Sequence, residues 1–220
     1  MRAPLALALA LALTLVAGAA TSASAGNNEV TVGSFNRALR SSSANAVTDD
    51  SLGGGQLGVA RALRLGLYPD LEVWATAGFG WGAASGTLFQ TMTTEVDMLG
   101  FTLGGRARYA LHRLIHASGR LDLGTARNEL SLTGNGHTVS DASWGGTASM
   151  AVGLDVMLVA RPRFSLGFRF ELGYVTATAV ALSPREAGDS SKIELDAMQA
   201  SIGHLDLGGR FFSFAVLSQF

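Results

Sequence analysis

Large apolar residues recur at every second position along much of this chain, the spacing that puts them on one face of a β-strand. The clearest case places Phe164, Leu166, Phe168, Phe170, Leu172 and Tyr174 on one face and Ser165, Gly167, Arg169, Glu171 and Gly173 on the other. Leu71, Val73, Ala75, Ala77, Phe79 and Trp81 alternate in the same way with Glu72, Trp74, Thr76, Gly78, Gly80 and Gly82. Leu99, Phe101, Leu103, Ala107 and Tyr109 oppose Thr102, Gly104, Arg106 and Arg108, and Met150, Val152, Leu154, Val156 and Leu158 oppose Ser149, Ala151, Gly153, Asp155 and Met157. Around Arg120 to Ser131, Leu121 and Leu123 turn away from Asp122. At the end of the chain Phe212, Phe214, Val216 and Phe220 lie among smaller or polar residues.

The connections alternate in length. Tyr68 to Leu71, His112 to Ser118 and Val159 to Arg163 are short and include Pro69 and Pro162, as turns do. Arg40 to Gln56, Ala83 to Asp97, Leu132 to Ala142 and Ala179 to His204 are longer, rich in Ser, Thr, Asn, Asp and Gly, and read as loops. Short turns on one side and long loops on the other are the mark of an outer-membrane barrel. With Val30 to Leu39 as the first strand and Leu205 to Phe220 as the last, the count is about eight, an even number as such barrels require. Lys192 to Ile202 reads as part of a long fourth loop, and Gly208-Gly209 as a bulge in the final strand.

The ends and the composition point the same way. Arg2, the apolar run Leu5 to Val16 and the small residues Ala23-Ser24-Ala25 predict a cleavable export signal over residues 1–25, leaving about 195 residues from Gly26 to Phe220 as one barrel domain. There is no Cys for a lipid anchor or a disulfide. Hydrophobic residues make up 48% of the chain and mean hydropathy is +0.29, yet no mature segment is long and apolar enough for a spanning helix. Charged residues are 15% and nearly balanced, which argues against a nucleic-acid partner.

On signal, strand periodicity, turn and loop alternation and the final Phe220, the chain resembles the small eight-stranded outer-membrane barrels, the class of the OmpA transmembrane domain, OmpX and OmpW. The resemblance implies an all-β, antiparallel up-and-down transmembrane barrel in the bacterial outer membrane; the expectation that no periplasmic peptidoglycan-binding domain follows rests on the stop at Phe220 and departs from the full-length OmpA pattern. It also implies a monomer surrounded by lipid and lipopolysaccharide and delivered by periplasmic chaperones. Phe212, Phe214, Val216 and Phe220 resemble the terminal signal read by the barrel-insertion machinery.

If the apolar faces meet lipid, the opposite faces send Arg64, Glu72, Arg106, Arg108, Asp122, Asp155, Arg169 and Glu171 into the lumen. A lumen of this size is filled by side chains, so the matched charges predict ion pairs that close it. Aromatic girdles are expected at the periplasmic interface from Tyr68, Tyr109 and Phe220 and at the opposite one from Trp81 and Trp144.

Candidate chemistry is sparse. His112 and His116 have the spacing of metal ligands on a helical turn but no carboxylate third ligand, and His137, Ser140, Asp141, Ser201 and His204 are scattered through polar loops without a supporting motif. Neither catalysis nor a cofactor or metal is expected. The sequence therefore predicts a non-enzymatic envelope or surface-interaction protein with a closed lumen. The alternative is a narrow channel or transporter that passes small molecules, apolar ones included, across the outer membrane. A soluble lipocalin-like barrel would reverse every face.

Overall fold

The computed structural model describes residues 27–220 apart from 42–43, 45–46, 69, 89–91, 135–136, 162–163, 183–184 and 187–203; the expected export signal and Lys192 to Ile202 therefore lie outside the described residues. Seven long strands come first: β1 (Asn28–Leu39), β2 (Ser51–Tyr68), β3 (Leu71–Leu88), β4 (Met92–His112), β5 (Ile115–Gly134), β6 (His137–Arg161) and β7 (Phe164–Ala177). Three two-residue strands follow, β8 (Val180–Ala181), β9 (Arg185–Glu186) and β10 (His204–Leu205), and then β11 (Gly209–Gln219). Each long strand pairs antiparallel with its neighbours, and β11 closes the ring between β7 and β1. The result is an eight-stranded antiparallel barrel, with β9 added to β6 and β8 paired with β10.

The stagger of this ring follows from its register. Pairs traced from Trp144 through Arg127, Leu99, Trp81, Gly55, Ser34, Phe214 and Phe170 return to β6 at Leu154, ten residues along the strand. With about 3.3 Å per residue and about 4.8 Å between strands, the strands are inclined about 40° to the barrel axis. An even stagger keeps every inward residue beside inward neighbours, so the faces close without conflict.

Those faces are sorted for a membrane. Leu103, Leu121, Leu123, Val152 and Leu172 are among the exposed large apolar residues of the outer face, while Arg106, Arg108, Asp122, Asp155, Arg169 and Glu171 are buried inside. Phe168 and Phe170 lean on Phe214 with ring centroids 5.4 and 5.1 Å apart, which half-buries Phe168 without turning it inward. Reversed faces would leave these charges in lipid, at a cost of about 2–4 kcal/mol for each arginine near the midplane. Arg61 is an outward charge level with Asn28, near the end of β1, where a long side chain can reach the headgroups. Among the described residues no helix is long and apolar enough to cross a membrane; the crossing is made by strands.

Tyr68 and Tyr109 both pair with Leu71 at the end where Phe220 meets Asn28, and Trp81 and Trp144 lie toward the other end. Trp81 and Trp144 share one line of paired residues three strands apart, so the strand tilt lifts Trp144 about 9 Å higher. Trp81 therefore marks the outer interface and Trp144 stands above it.

Three expected features differ. Ser51 to Gln56, read as the end of the first loop, already belong to β2. Most of Ala83 to Asp97 and Leu132 to Ala142 is not loop, because β3–β4 pair as far as Leu88–Met92 and β5–β6 as far as Gly134–His137. Thr and Val have high strand propensity, and Thr94, Val96, Leu130 and Leu132 still alternate inward, so the hairpins continue past the membrane around an apolar core of their own. Nor do Gly208-Gly209 form a bulge within the last strand. β11 begins at Gly209 and keeps an unbroken register with both neighbours, while the Gly208 N–H donates to the Asp206 carboxylate at 2.7 Å in the turn before it.

Candidate functional site

The lumen has three levels, and strand alternation supplies each of them. Nearest the periplasmic mouth is an ion network. Asp155 and Arg169 are directly paired across β6 and β7, and Nε and Nη2 of Arg169 donate to the two Asp155 oxygens at 2.7 and 2.8 Å. Arg169 also donates to Glu29 of β1 at 2.9 and 3.1 Å. Glu29, 1% exposed, accepts further hydrogen bonds from Arg106 at 2.7 Å and from Gln219 at 3.0 Å. Arg108 lies 3.6 Å from both Asp155 and Glu72, its directly paired neighbour on β3, and 2.9 Å from His116 Nδ1. Slightly apart, Arg120 bridges Asp122 at 3.1 Å and Glu171 at 3.2 Å, while Thr76 and Ser149 donate to Asp122 and Ser213 donates to Glu171.

Such burial is tolerated only when the ions remain partnered, because desolvation removes several kcal/mol per ion that only close pairing returns. Glu72 is the open edge of the network: its side chain is 53% exposed and also accepts a hydrogen bond from Trp74 Nε1 at 3.1 Å. Trp74 itself is buried inward, with the Arg106 guanidinium 5.3 Å from its ring centre.

Above this network is a cavity of about 140 Å³, bordered by Thr31, Gly58, Gly80, Gly100, Arg106 and Arg120. Glycine makes the room: a Cβ at Gly80 would meet nothing closer than 3.8 Å. Above the cavity the lumen becomes apolar, with Leu39, Leu52, Val96, Met98, Leu130 and Leu207 buried together. Ala44 and Val47 of the β1–β2 connection join this core, seated by a Thr48-to-Ala44 backbone hydrogen bond of 2.9 Å and by the Thr94 hydroxyl donating to the Val47 carbonyl. Arg37 is set within this apolar level, where its Nη1 donates to the Leu207 carbonyl at 3.1 Å.

Of the residues anticipated for the lumen, Arg106, Arg108, Asp122, Asp155, Arg169 and Glu171 are buried there and Glu72 is at its mouth. Arg64 belongs to β2, but its side chain lies outside the described residues. Sequence reasoning missed Glu29, Arg37 and Arg120. Glu29 and Arg120 carried a signal, since Glu29 alternates with Val30 and Val32, and Arg120 shares its face with Asp122. Arg37 carried none, because Phe35, Arg37 and Leu39 face inward while Ser34 and Asn36 face out, the reverse of the pattern elsewhere.

Other candidate chemistry disperses. His112 and His116 lie on β4 and β5 across a turn, not on a helix, and His112 accepts a hydrogen bond from the Leu114 N–H at 3.4 Å. Among the described residues no three His, Asp or Glu side chains converge as metal ligands. The side chains of His137 and His204, and all of Ser201, lie outside the described residues. On the outer face above the belt, Arg127 pairs with Glu129 at 3.2 Å. Nearby Asp97 has its carboxyl pushed up by partial burial and by Glu95 and Glu129.

A closed ring of eight antiparallel strands, an apolar outer belt between aromatic residues and a charged interior define a bacterial outer-membrane barrel. No family model matches the chain, and no curated protein matches it. Among solved structures, it is similar to Ail, the attachment invasion locus protein of Yersinia pestis, at 11% identity over 89% of this chain and 97% of that one, with a TM-score of 0.44. It is also similar to Neisserial surface protein A, at 11% identity over 90% of this chain and 100% of that one, TM-score 0.43. The translocator domain of the autotransporter NalP from Neisseria meningitidis is similar at 10% identity over 99% of this chain and 96% of that one, TM-score 0.45.

Proposed function

We propose that this outer-membrane protein is a non-enzymatic, monomeric anchor whose lumen does not conduct and whose extracellular hairpins meet partners at the cell surface or within the envelope. The observation that carries this reading is the packing of Glu29, Arg106, Arg108, Asp155 and Arg169 across the lumen, each at most 5% exposed, beneath an apolar level that Ala44 and Val47 help to fill. Conducting routes need a wet path and an excess of one charge sign, whereas along the whole described lumen Arg37, Arg106, Arg108, Arg120 and Arg169 are matched by Glu29, Glu72, Asp122, Asp155 and Glu171. The β3–β4 and β5–β6 hairpins support the surface role, because both continue past the line of Trp81 and Trp144. The surrounding partners in this reading are lipid and lipopolysaccharide. Phe212, Phe214, Val216 and Phe220 serve delivery by chaperones and the insertion machinery.

Refolded protein in a planar bilayer should show no steady single-channel openings; steady openings would favour the narrow-channel reading instead. Orientation has its own test, since the chain has no native Cys. A Thr138→Cys variant should react with a membrane-impermeant maleimide on intact cells, and an Arg161→Cys variant should not. Equal labelling would overturn the placement of the hairpins.

A further inference from the structure

Two arginines of the lumen differ in how their guanidinium edges are used. In Arg169 the edge formed by Nε and Nη2 holds both oxygens of Asp155, at 2.7 and 2.8 Å. In Arg106 the guanidinium lies 5.3 Å from the Trp74 ring centre and Nη1 donates to Glu29 at 2.7 Å, but among the described residues Nε and Nη2 have no hydrogen-bond partner although the residue is 2% exposed. That edge is the fork that matches a carboxylate or two phosphate oxygens. A buried donor left unpaired is costly, and the cost is greater when the donor is ionised.

Arg106 borders the cavity above the ion network, and the cavity wall has an excess of positive charge: Arg37, Arg106, Arg120 and Arg169 against Glu29, Asp122 and Glu171. Among the described residues Arg37, 9% exposed, has no carboxylate partner; Nη1 donates to the Leu207 carbonyl and the Met98 sulfur, and Nε has no hydrogen-bond partner. Thr31, Thr102 and Thr147 add hydroxyl donors to the wall.

We propose that this cavity is a binding site for a small oxyanion of the carboxylate or phosphate class, held in the fork of Arg106 as Asp155 is held by Arg169. The site needs no opening through the barrel, and a closed lumen retains such an anion as part of the folded state. Binding to the folded form alone raises the unfolding temperature with ligand concentration.

The experiment follows the heat-modifiable unfolding transition of refolded protein in a non-ionic detergent, at constant pH and ionic strength, as chloride is replaced by acetate or by inorganic phosphate. Wild-type protein should show a saturable rise with at least one of the two oxyanions. Arg106→Lys keeps the charge without the fork and should weaken the apparent affinity by about ten- to a hundred-fold, the scale of charge-assisted hydrogen bonds. Gly80→Val keeps every charge and takes up part of the cavity, so it should weaken the rise while the barrel still folds. The proposal is overturned if acetate and phosphate act no differently from chloride on the wild type, or if Gly80→Val responds as the wild type does. Acetate acting alone assigns a carboxylate site, and phosphate acting alone assigns a phosphate site.

Discussion

Glu29 and Arg169 are 140 residues apart in sequence and 2.9 Å apart in the lumen, where both carboxylate oxygens of the first are bonded to the guanidinium of the second. Because Glu29 also holds Arg106 and Gln219, its removal would leave two buried cations short of a partner. A Glu29→Ala variant should therefore lose about 3–5 kcal/mol of stability, the range for breaking one side of a buried pair. Urea unfolding of refolded protein measures it. A loss within about 0.5 kcal/mol, as for a surface change, would mean that the network does not hold the barrel.

Val152 on the outer belt is 69% exposed, and Ala151 beside it is buried in the lumen. On a water-facing surface, Val152→Arg would change stability by no more than about 0.5 kcal/mol. Against lipid the same change should cost about 2–4 kcal/mol. Unfolding in bilayers separates the two, and an unperturbed variant would contradict the membrane assignment of this face.

The two faces of β3, β4, β6 and β7 were legible because each carries the same sorting along its membrane-crossing stretch, large residues toward lipid and charges or glycines toward the lumen. The sorting fails where the surroundings change. Beyond Trp81 the barrel no longer meets lipid and its inside is apolar, so Val96, Leu130 and Leu132 face inward and the outer positions become polar. A reading tuned to lipid-facing alternation takes such stretches for loops. Arg37 was hidden for the same reason. The contact of Glu29 with Arg106 and Arg169 lies beyond any local pattern, since it depends on which strands the ring brings opposite one another.

Gly86 of β3 is buried against the connection that enters the barrel mouth. A Cβ there would lie 2.7 Å from Thr48 Cα and 2.8 Å from the Val47 carbonyl oxygen, closer than real side chains approach backbone. Gly86→Val should therefore unseat Val47 and Thr48 and leave the ion network below intact. Overpacking of this kind costs about 1–3 kcal/mol. Protease added to intact cells should then cut the variant within residues 40–50 and spare the wild type. Equal resistance would show that the segment is not held by its contact with Gly86.

Phe220 lies at the periplasmic end of the seam that closes the barrel, its N–H donating to the Asn28 carbonyl at 3.0 Å and its carbonyl accepting from the Asn28 N–H at 3.1 Å. By strand alternation its side chain falls on the outer face with Phe212, Phe214 and Val216. Phe220→Ser keeps both backbone bonds and removes one half-buried ring, whose full burial would be worth only about 1.5–3 kcal/mol. Phe170→Ser is the matched control, for it removes another outward ring, 40% exposed and 5.1 Å from Phe214. The two variants should lose similar stability when refolded in detergent. In cells, the Phe220 variant should be several-fold less abundant in the outer membrane than the Phe170 variant, because only Phe220 belongs to the proposed assembly signal. Quantitative blotting of outer-membrane fractions, with heat-modifiable migration to score folded protein, makes the comparison. Equal abundance of the two would reduce Phe220 to one more ring in the belt.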